Sequence, residues 1–283
     1  MTERLNIVGA GSAARVLARL WSEREVFSIG GICNRTMGSA REAAGFIGAG
    51  RAVANAGRLE PAPVWMLGCP DDQLAAVAAQ LRETGQVARG SLVFHLSGVH
   101  PASVLQALDA RLGSFHPVCS FADPERAISR FAGSMVAVEG ENGVRQQLAG
   151  WAELLDARSF VVAGANKPLY HAASVTAANH TVALLDQALQ LYRHAGLEEP
   201  TAKALVRSLA QGSVANVTEL GPEQALTGPV VRGDVATVAA HLQTLAGGHR
   251  EGYLVLARAA LDLARRSGRL DPAVADEIEK LLL

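Results

Sequence analysis

LNIVGAGSAARVLARLW, residues 5–21, decides how this chain is read. A β-rich run ends on Gly9, a short turn of small residues follows, and apolar side chains then recur at Val16, Leu17, Leu20 and Trp21, the spacing of one helix face. A strand, a turn and a helix in that order form a phosphate-binding corner when the turn carries small residues at set positions. Gly9 permits the tight bend, Gly11 lets the backbone approach a pyrophosphate, and Ala14 allows the helix to pack closely on the strand. Backbone amides around Ala10, Ser12 and Ala13 then face the phosphates.

Outward from this corner, residues 4 to 162 alternate short β-rich runs with alanine-rich helical runs, the pattern of a parallel sheet with helices on its faces. The predicted strands are Leu5 to Gly9, Val26 to Cys33, Val64 to Cys69, Leu92 to Leu96, Gly113 to Pro117, Ser134 to Val138 and Ser159 to Val162. After Gly164 the strand-like runs stop. Leu184, Leu185, Ala188, Leu189 and Tyr192 make one helical stripe, and Tyr253, Ala257, Leu261 and Ala264 make another. The expected class is therefore α/β, an N-terminal Rossmann domain over residues 1–164 with a C-terminal all-α domain over 165–283. Gly164, Asn166 and Pro168 suit a connector, and a helix starting at Pro168 can run to Gly196, roughly 40 Å at about 1.5 Å per residue.

The end of the second predicted strand reads Cys33-Asn34-Arg35-Thr36. An acidic residue there would hold the ribose hydroxyls of NAD. Instead Arg35 can pair with a 2′-phosphate, and Asn34 and Thr36 can donate to it, which favours NADP(H) over NAD; a solvated loop arginine is the alternative. Pro70, after the third predicted strand, joins the cofactor set, while Asp71 and Asp72 are expected to cap the next helix. Two further strands end in HLSG and SFHP, which brings His95, Ser97 and His116 to the edge where ligands bind in open α/β sheets. Either histidine can offer a proton or hydrogen bond to a substrate, or be satisfied within the core.

In the helical half, NKPLYHAASVTAANH places Lys167, His171 and Asn179 along the start of the long helix. His171 and Asn179 are eight residues apart and look roughly the same way. With Ser97 and His116 these three are the candidate catalytic groups. The loop LTGPVVRGD, residues 226–234, offers Thr227 and Arg232 as substrate contacts alongside His95, Arg232 suiting an anion or a surface ion pair; Asp234 is expected to cap the following helix.

Composition narrows the partners. The 26 basic and 27 acidic residues nearly cancel, with no basic run to neutralise nucleic-acid phosphates. No apolar window has the length of a membrane span, and no charged leader precedes an apolar run, so a cytoplasmic protein acting on a small molecule is expected. Cys33, Cys69 and Cys119 are widely spaced and fit neither a disulfide framework nor a zinc site; no metal is expected. Basic residues are mostly arginine, and Lys167 is one of three lysines.

GAGSAA, PDD after a strand, HLSG, FHP, YHAASVTAANH and above all LTGPVVRGD resemble a group of Rossmann-like proteins with a C-terminal helical domain of unknown function. That group is similar to the 6-phosphogluconate dehydrogenase, β-hydroxyacid dehydrogenase and ketopantoate reductase superfamily and to pyrroline-carboxylate reductases. The resemblance implies an NADPH-dependent reductase of a small, ketopantoate-like 2-oxo acid, and a homodimer through the helical domain. In the β-hydroxyacid and ketopantoate enzymes a lysine sits four residues before an asparagine matched here by Asn179, whereas this chain has Val175 at that place. The alternatives are a cyclic imine reductase, whose substrate arrives protonated, and an NADP-binding sensor or scaffold without catalysis.

Overall fold

Leu5 and Ile7 have no exposed surface, and the strand that carries them lies inside a single sheet. The computed structural model describes residues 2–283. Among them, eight strands, β1 (Glu3–Val8), β2 (Phe27–Cys33), β3 (Arg51–Val53), β4 (Val64–Leu67), β5 (Leu92–His95), β6 (Arg111–Val118), β7 (Met135–Gly140) and β8 (Arg158–Val161), run in the order β3-β2-β1-β4-β5-β6-β7-β8. The first six strands follow the Rossmann order, with the reversal between β1 and β4. All seven strands expected from the sequence form. The additional β3 is three residues long, too short to show a period, and pairs only with β2 at the sheet edge.

The alternation predicts a parallel sheet, but β6 and β7 pair antiparallel from Gly113↔Gly140 to Val118↔Met135. The connection between these two strands carries one short helix of seven residues, α4 below.

Helices α1 (Ser12–Glu23), α2 (Met37–Ile47), α3 (Leu74–Thr84), α4 (Pro124–Arg130) and α5 (Asn142–Glu153) cover the sheet. Successive residues of a strand point to opposite faces, and the core divides accordingly: Val64 and Met66 join the cluster under α1 and α5, while Trp65 and Leu67 join the one under α3. Trp21 of α1 is the hub of the first cluster, edge-on to Phe27, Phe94 and Phe115, with its indole N–H on the Trp151 carbonyl at 3.1 Å.

After Asn166 the described chain is helical: α6 (Lys167–Val175), a π-helical turn (Thr176–His180), α7 (Thr181–His194), α8 (Glu199–Leu220), α9 (Pro222–Ala225), α10 (Pro229–Arg232), α11 (Val235–Thr244), α12 (Gly247–Arg266) and α13 (Pro272–Leu282). The long helix predicted from Pro168 to Gly196 thus forms from Lys167 to His194 with a π turn inside it. Contacts separate two units, one running to Ala177 and one from Ala178 to Leu283, the division falling within that π turn. The second unit has its own core, including Val230, Val238, Leu261 and Ile278. The apolar stripes of α7 and α8 are left largely uncovered; Leu209, Val214 and Val217 are exposed, and in α8 only Ala202 is buried.

Candidate functional site

The corner between β1 and α1 has the geometry that its sequence demands. Gly9 adopts φ +81°, and a Cβ there would lie 2.4 Å from the Cys69 amide nitrogen, so no other residue fits. Gly68 at the end of β4 closes on the same turn; its own Cβ would meet the Gly9 carbonyl at 2.5 Å and the Ala14 methyl at 2.6 Å. Gly11 caps α1, whose first helical hydrogen bond runs from Arg15 N to Gly11 O at 3.0 Å. The amides of Ser12, Ala13 and Ala14 precede that bond and have no acceptor within the helix, and the first turn carries no acidic residue. Such a helix end attracts an anion.

Asn34, a sequence candidate for the cofactor, is engaged in the corner itself. Its Oδ1 accepts from the Ala10 amide at 2.6 Å and its Nδ2 donates to the Ser39 carbonyl at 3.0 Å, so it braces the corner against the end of β2 and also occupies the Ala10 amide. Thr36 caps α2 through the Ser39 amide at 3.2 Å. Both side chains are committed to local structure, because Asn and Thr beside a helix start compete for its free amides. Arg35, between them, is exposed and forms no ion pair among the described residues. Pro70 is also exposed and begins a single 3-10 turn, Asp71–Gln73; neither Asp71 nor Asp72 caps α3, because that turn intervenes and Gln73 takes the cap position. Cys69 is a buried-type thiol, pushed up to about 11 chiefly by burial, as is Cys33 in direction.

A second group of side chains gathers beyond the ends of β5 and β6. Lys167, at the start of α6, is 1% exposed. Its ammonium donates to the Ser97 carbonyl at 2.9 Å and the Ser114 hydroxyl at 2.5 Å, with a Glu139 carboxylate oxygen at 4.0 Å. Burial lowers its pKa to about 8, against the opposing pull of Glu139 and Asp71. The polar contacts of Lys167, which the sequence offers as a candidate catalytic group, thus all lie within the fold. His95 is likewise structural: it has no exposed surface, Nδ1 accepts from the Ser97 amide at 3.1 Å, and Nε2 lies 3.2 Å from the Pro101 carbonyl. Burial first, then the Lys167 charge, lowers its pKa to about 3 and keeps it neutral. The Ser97 hydroxyl accepts from the amides of Val99 and His100 and shapes the loop.

His116 and His171 are the half-buried members of the group, with ring centroids 6.0 Å apart. Gly98 lies against both: a Cβ there would meet His171 Cδ2 at 2.5 Å and His116 Nε2 at 2.7 Å. His116 Nδ1 is 2.8 Å from the Tyr170 hydroxyl. Burial, then Lys167 and His171, lowers the His116 pKa to about 4, so the imidazole is neutral near pH 7.

Asn179 is an exposed residue of the π turn and belongs to the second unit, as do Thr227 and Arg232. π turns often occur at functional positions. Thr227 helps to line a cavity of about 320 Å³ with Leu184, Ala188, Val230, Tyr253 and Ala257. Arg232 is exposed at the end of α10, and Asp234 caps α11 through the Thr237 amide at 3.0 Å, as expected.

The sequence reading passed over Tyr170, Ser114, Glu139 and Gly98. Two of these carried a signal. Tyr170 follows Lys167 by one helical turn, and Ser114 precedes His116 by two residues on a strand, so each shares a face with a residue already singled out. Gly98 closes the HLSG motif, but its approach to the two histidines, like the place of Glu139, shows only in the tertiary contacts.

Fold and corner together place the chain in the class of Rossmann proteins that carry a helical C-terminal unit. Residues 134–260 match the family described as Domain of unknown function (DUF2520). No curated protein matches the sequence. Among solved structures the chain is similar to a protein from Thermotoga maritima, at 26% identity over 93% of this chain and 99% of that one with a TM-score of 0.72. It is similar to a Bacteroides fragilis protein put forward as an NADP oxidoreductase, at 22% identity over 95% and 99% of the two chains with a TM-score of 0.74. A pyrroline-5-carboxylate reductase from Coxiella burnetii aligns at 15% identity over 99% of each chain with a TM-score of 0.60. These likenesses extend through both units, so the pairing of a Rossmann half with a helical half is common to all of them.

Proposed function

We propose that this chain is an NADP(H)-dependent oxidoreductase that reduces the C=O or C=N bond of a small molecule. The observation that carries the reading is the placement of two features along one edge of one sheet: the Gly9–Ala14 corner after β1, and the polar group of Ser97, His116 and His171 at the ends of β5 and β6. The corner fits a pyrophosphate, because Gly9 and Gly68 leave no room for side chains where the turn closes, and the Ser12 to Ala14 amides point out of a helix end free of acidic residues. Arg35 is unpaired among the described residues and has the planar fork that suits a 2′-phosphate. NADP(H) bound there supplies a hydride; the protein's part is to position the substrate and to stabilise or protonate the atom that gains the electron pair.

The first substrate class is a small branched 2-oxo acid of the ketopantoate type, for which His116 and His171 of the first unit are the candidate carbonyl contacts, while Asn179 and Arg232, a candidate for a carboxylate, belong to the second unit. The second is a cyclic imine. Val175 in place of a catalytic-type lysine and the likeness to the Coxiella burnetii pyrroline-5-carboxylate reductase favour it, since an imine that arrives protonated asks less of an acid. The domains act as a cofactor half, 1–164, and a substrate and dimerisation half, 165–283, the uncovered stripes of α7 and α8 forming the contact with a second copy.

Titration of NADPH and NADH by fluorescence, followed by absorbance decay with ketopantoate, other oxo acids and cyclic imines, tests the reading. Consumption of NADPH with one class names the substrate. NADPH binding with no consumption favours a sensor, and binding of neither nucleotide rejects the cofactor assignment.

A further inference from the structure

Tyr170 and His116 lie in two separate sequence motifs, and only the fold pairs them. The Tyr170 hydroxyl and His116 Nδ1 are 2.8 Å apart, and their rings meet edge to face at 5.6 Å. A phenol is a good O–H donor and a modest acceptor, whereas an unprotonated imidazole nitrogen is a good acceptor, so the favourable pairing is O–H···N with Nδ1 accepting. Which nitrogen of a neutral imidazole carries the proton is set by the bond that the other one makes. His95 shows the rule in the same site: its Nδ1 accepts from the Ser97 amide, which leaves Nε2–H to donate to the Pro101 carbonyl. In His116, Nε2 lies beside Gly98, has no hydrogen-bond partner among the described residues, and is not sealed from solvent. The absence of a side chain at residue 98 is what keeps this nitrogen open.

We propose that Tyr170 holds His116 in the tautomer with its proton on Nε2, and that the pair relays a proton from the tyrosine hydroxyl through the imidazole to the substrate. The relay rests on the reductase reading above; the tautomer does not. As a C=O substrate is reduced, the electron pair of that bond moves to the oxygen, which takes the Nε2 proton; an imine that arrives protonated draws no proton from the pair. Nδ1 takes the Tyr170 proton as that O–H bond breaks, so the imidazole is neutral before and after. The phenolate left behind regains a proton from water. Lys167 supports the arrangement as a positioning residue: its ammonium fixes the Ser97 carbonyl at the edge of Gly98, and its positive charge disfavours a second proton on His116.

Histidine ¹⁵N NMR on the nucleotide-free protein reads the tautomer directly. The expected spectrum has His116 protonated on Nε2 and bare on Nδ1, and Tyr170→Phe relaxes that preference to a mixture. A wild-type spectrum with the proton on Nδ1 overturns the proposal whatever the protein reduces. In turnover, Tyr170→Phe lowers kcat about a hundredfold while KM and the NADPH Kd stay within about threefold. His116→Gln, whose amide N–H reproduces Nε2–H, retains about tenfold more activity than His116→Asn, whose amide reproduces Nδ1. A Tyr170→Phe kcat within about threefold of wild type removes the relay and leaves the reductase reading intact. Wild-type protein that binds NADPH but turns over no oxo acid or imine overturns the reductase reading and the relay together, while the tautomer is still decided by the spectrum.

Discussion

The Lys167 ammonium donates to the Ser97 carbonyl at 2.9 Å, and so joins residues 70 positions apart in the chain inside a site with 1% of the lysine exposed. A buried cation in that position is held by its partners, and the partners are held by it.

Lys167→Ala leaves the Ser97 carbonyl with only the long bond from the Ser114 hydroxyl at 3.4 Å, leaves that hydroxyl without a donor, and opens a cavity, so it destabilises the protein by about 3–5 kcal/mol. Lys167→Met keeps the volume and costs less. Urea unfolding midpoints of the two variants check both the size and the order; equal effects would show that the lost ammonium contacts, and not the lost volume, account for the destabilisation.

Gly9→Ala and Gly11→Ala separate strain from proximity. The first puts a methyl 2.4 Å from the Cys69 amide in a left-handed turn, while the second, at φ −71°, meets only the Gly68 carbonyl at an ordinary 3.5 Å. Fluorescence titration should show NADPH affinity reduced about a hundredfold or more for Gly9→Ala, with a Tm loss, and a smaller affinity loss without a Tm change for Gly11→Ala.

Arg35→Ala removes the one free cation proposed for the 2′-phosphate. NADPH binding weakens about tenfold to a hundredfold, the value of a charge-assisted contact, while NADH binding stays the same. An equal loss for both nucleotides would place Arg35 elsewhere on the cofactor.

Acid destabilises this fold through two histidines. His95 and His116 have folded pKa values of about 3 and about 4, below the ordinary 6.5, so between pH 6.5 and 4 the unfolded chain binds protons that the folded chain does not. Stability therefore falls as pH drops through that window, by on the order of 1–3 kcal/mol per histidine. His95→Asn flattens the dependence measured by thermal melts at pH 4.5 and 7.

The exposed stripe on α8 tests self-association. Leu209→Glu combined with Val217→Glu puts charges on an uncovered helix face, and light scattering should show a dimeric wild type becoming a monomer. A monomeric wild type would reject the assembly.

The lowering of Lys167 to about 8 acts in the opposite sense to the usual lysine pair. Its folded pKa lies below the ordinary 10.5, so the cost of burying its charge is full below pH 8 and is relieved as pH rises from 8 to 10.5. Stability gained in that interval by wild type and absent in Lys167→Met separates this residue from other alkaline titrations.

The sequence by itself determined the corner and the class of fold. A glycine at residue 9 with φ +81°, a small residue at 14 and a helix stripe ending in Trp21 are local requirements, met within 17 consecutive residues, and period-two and period-3.6 patterns located all seven expected strands and the helical half. Local signals also gave the Asp234 cap. Tertiary structure alone decided which polar residues are free. Asn34, Thr36, His95 and Lys167 have the right chemistry for ligands, yet each already bonds to partners within the fold, and those of His95 and Lys167 lie at the ends of strands or in loops that only sheet assembly brings near. The antiparallel pairing of β7 with β6 is of the same kind, since the alternation of strand and helix along the chain does not record it. Hydrogen-bond satisfaction is a property of neighbours in space, and a periodicity along the chain carries no record of them.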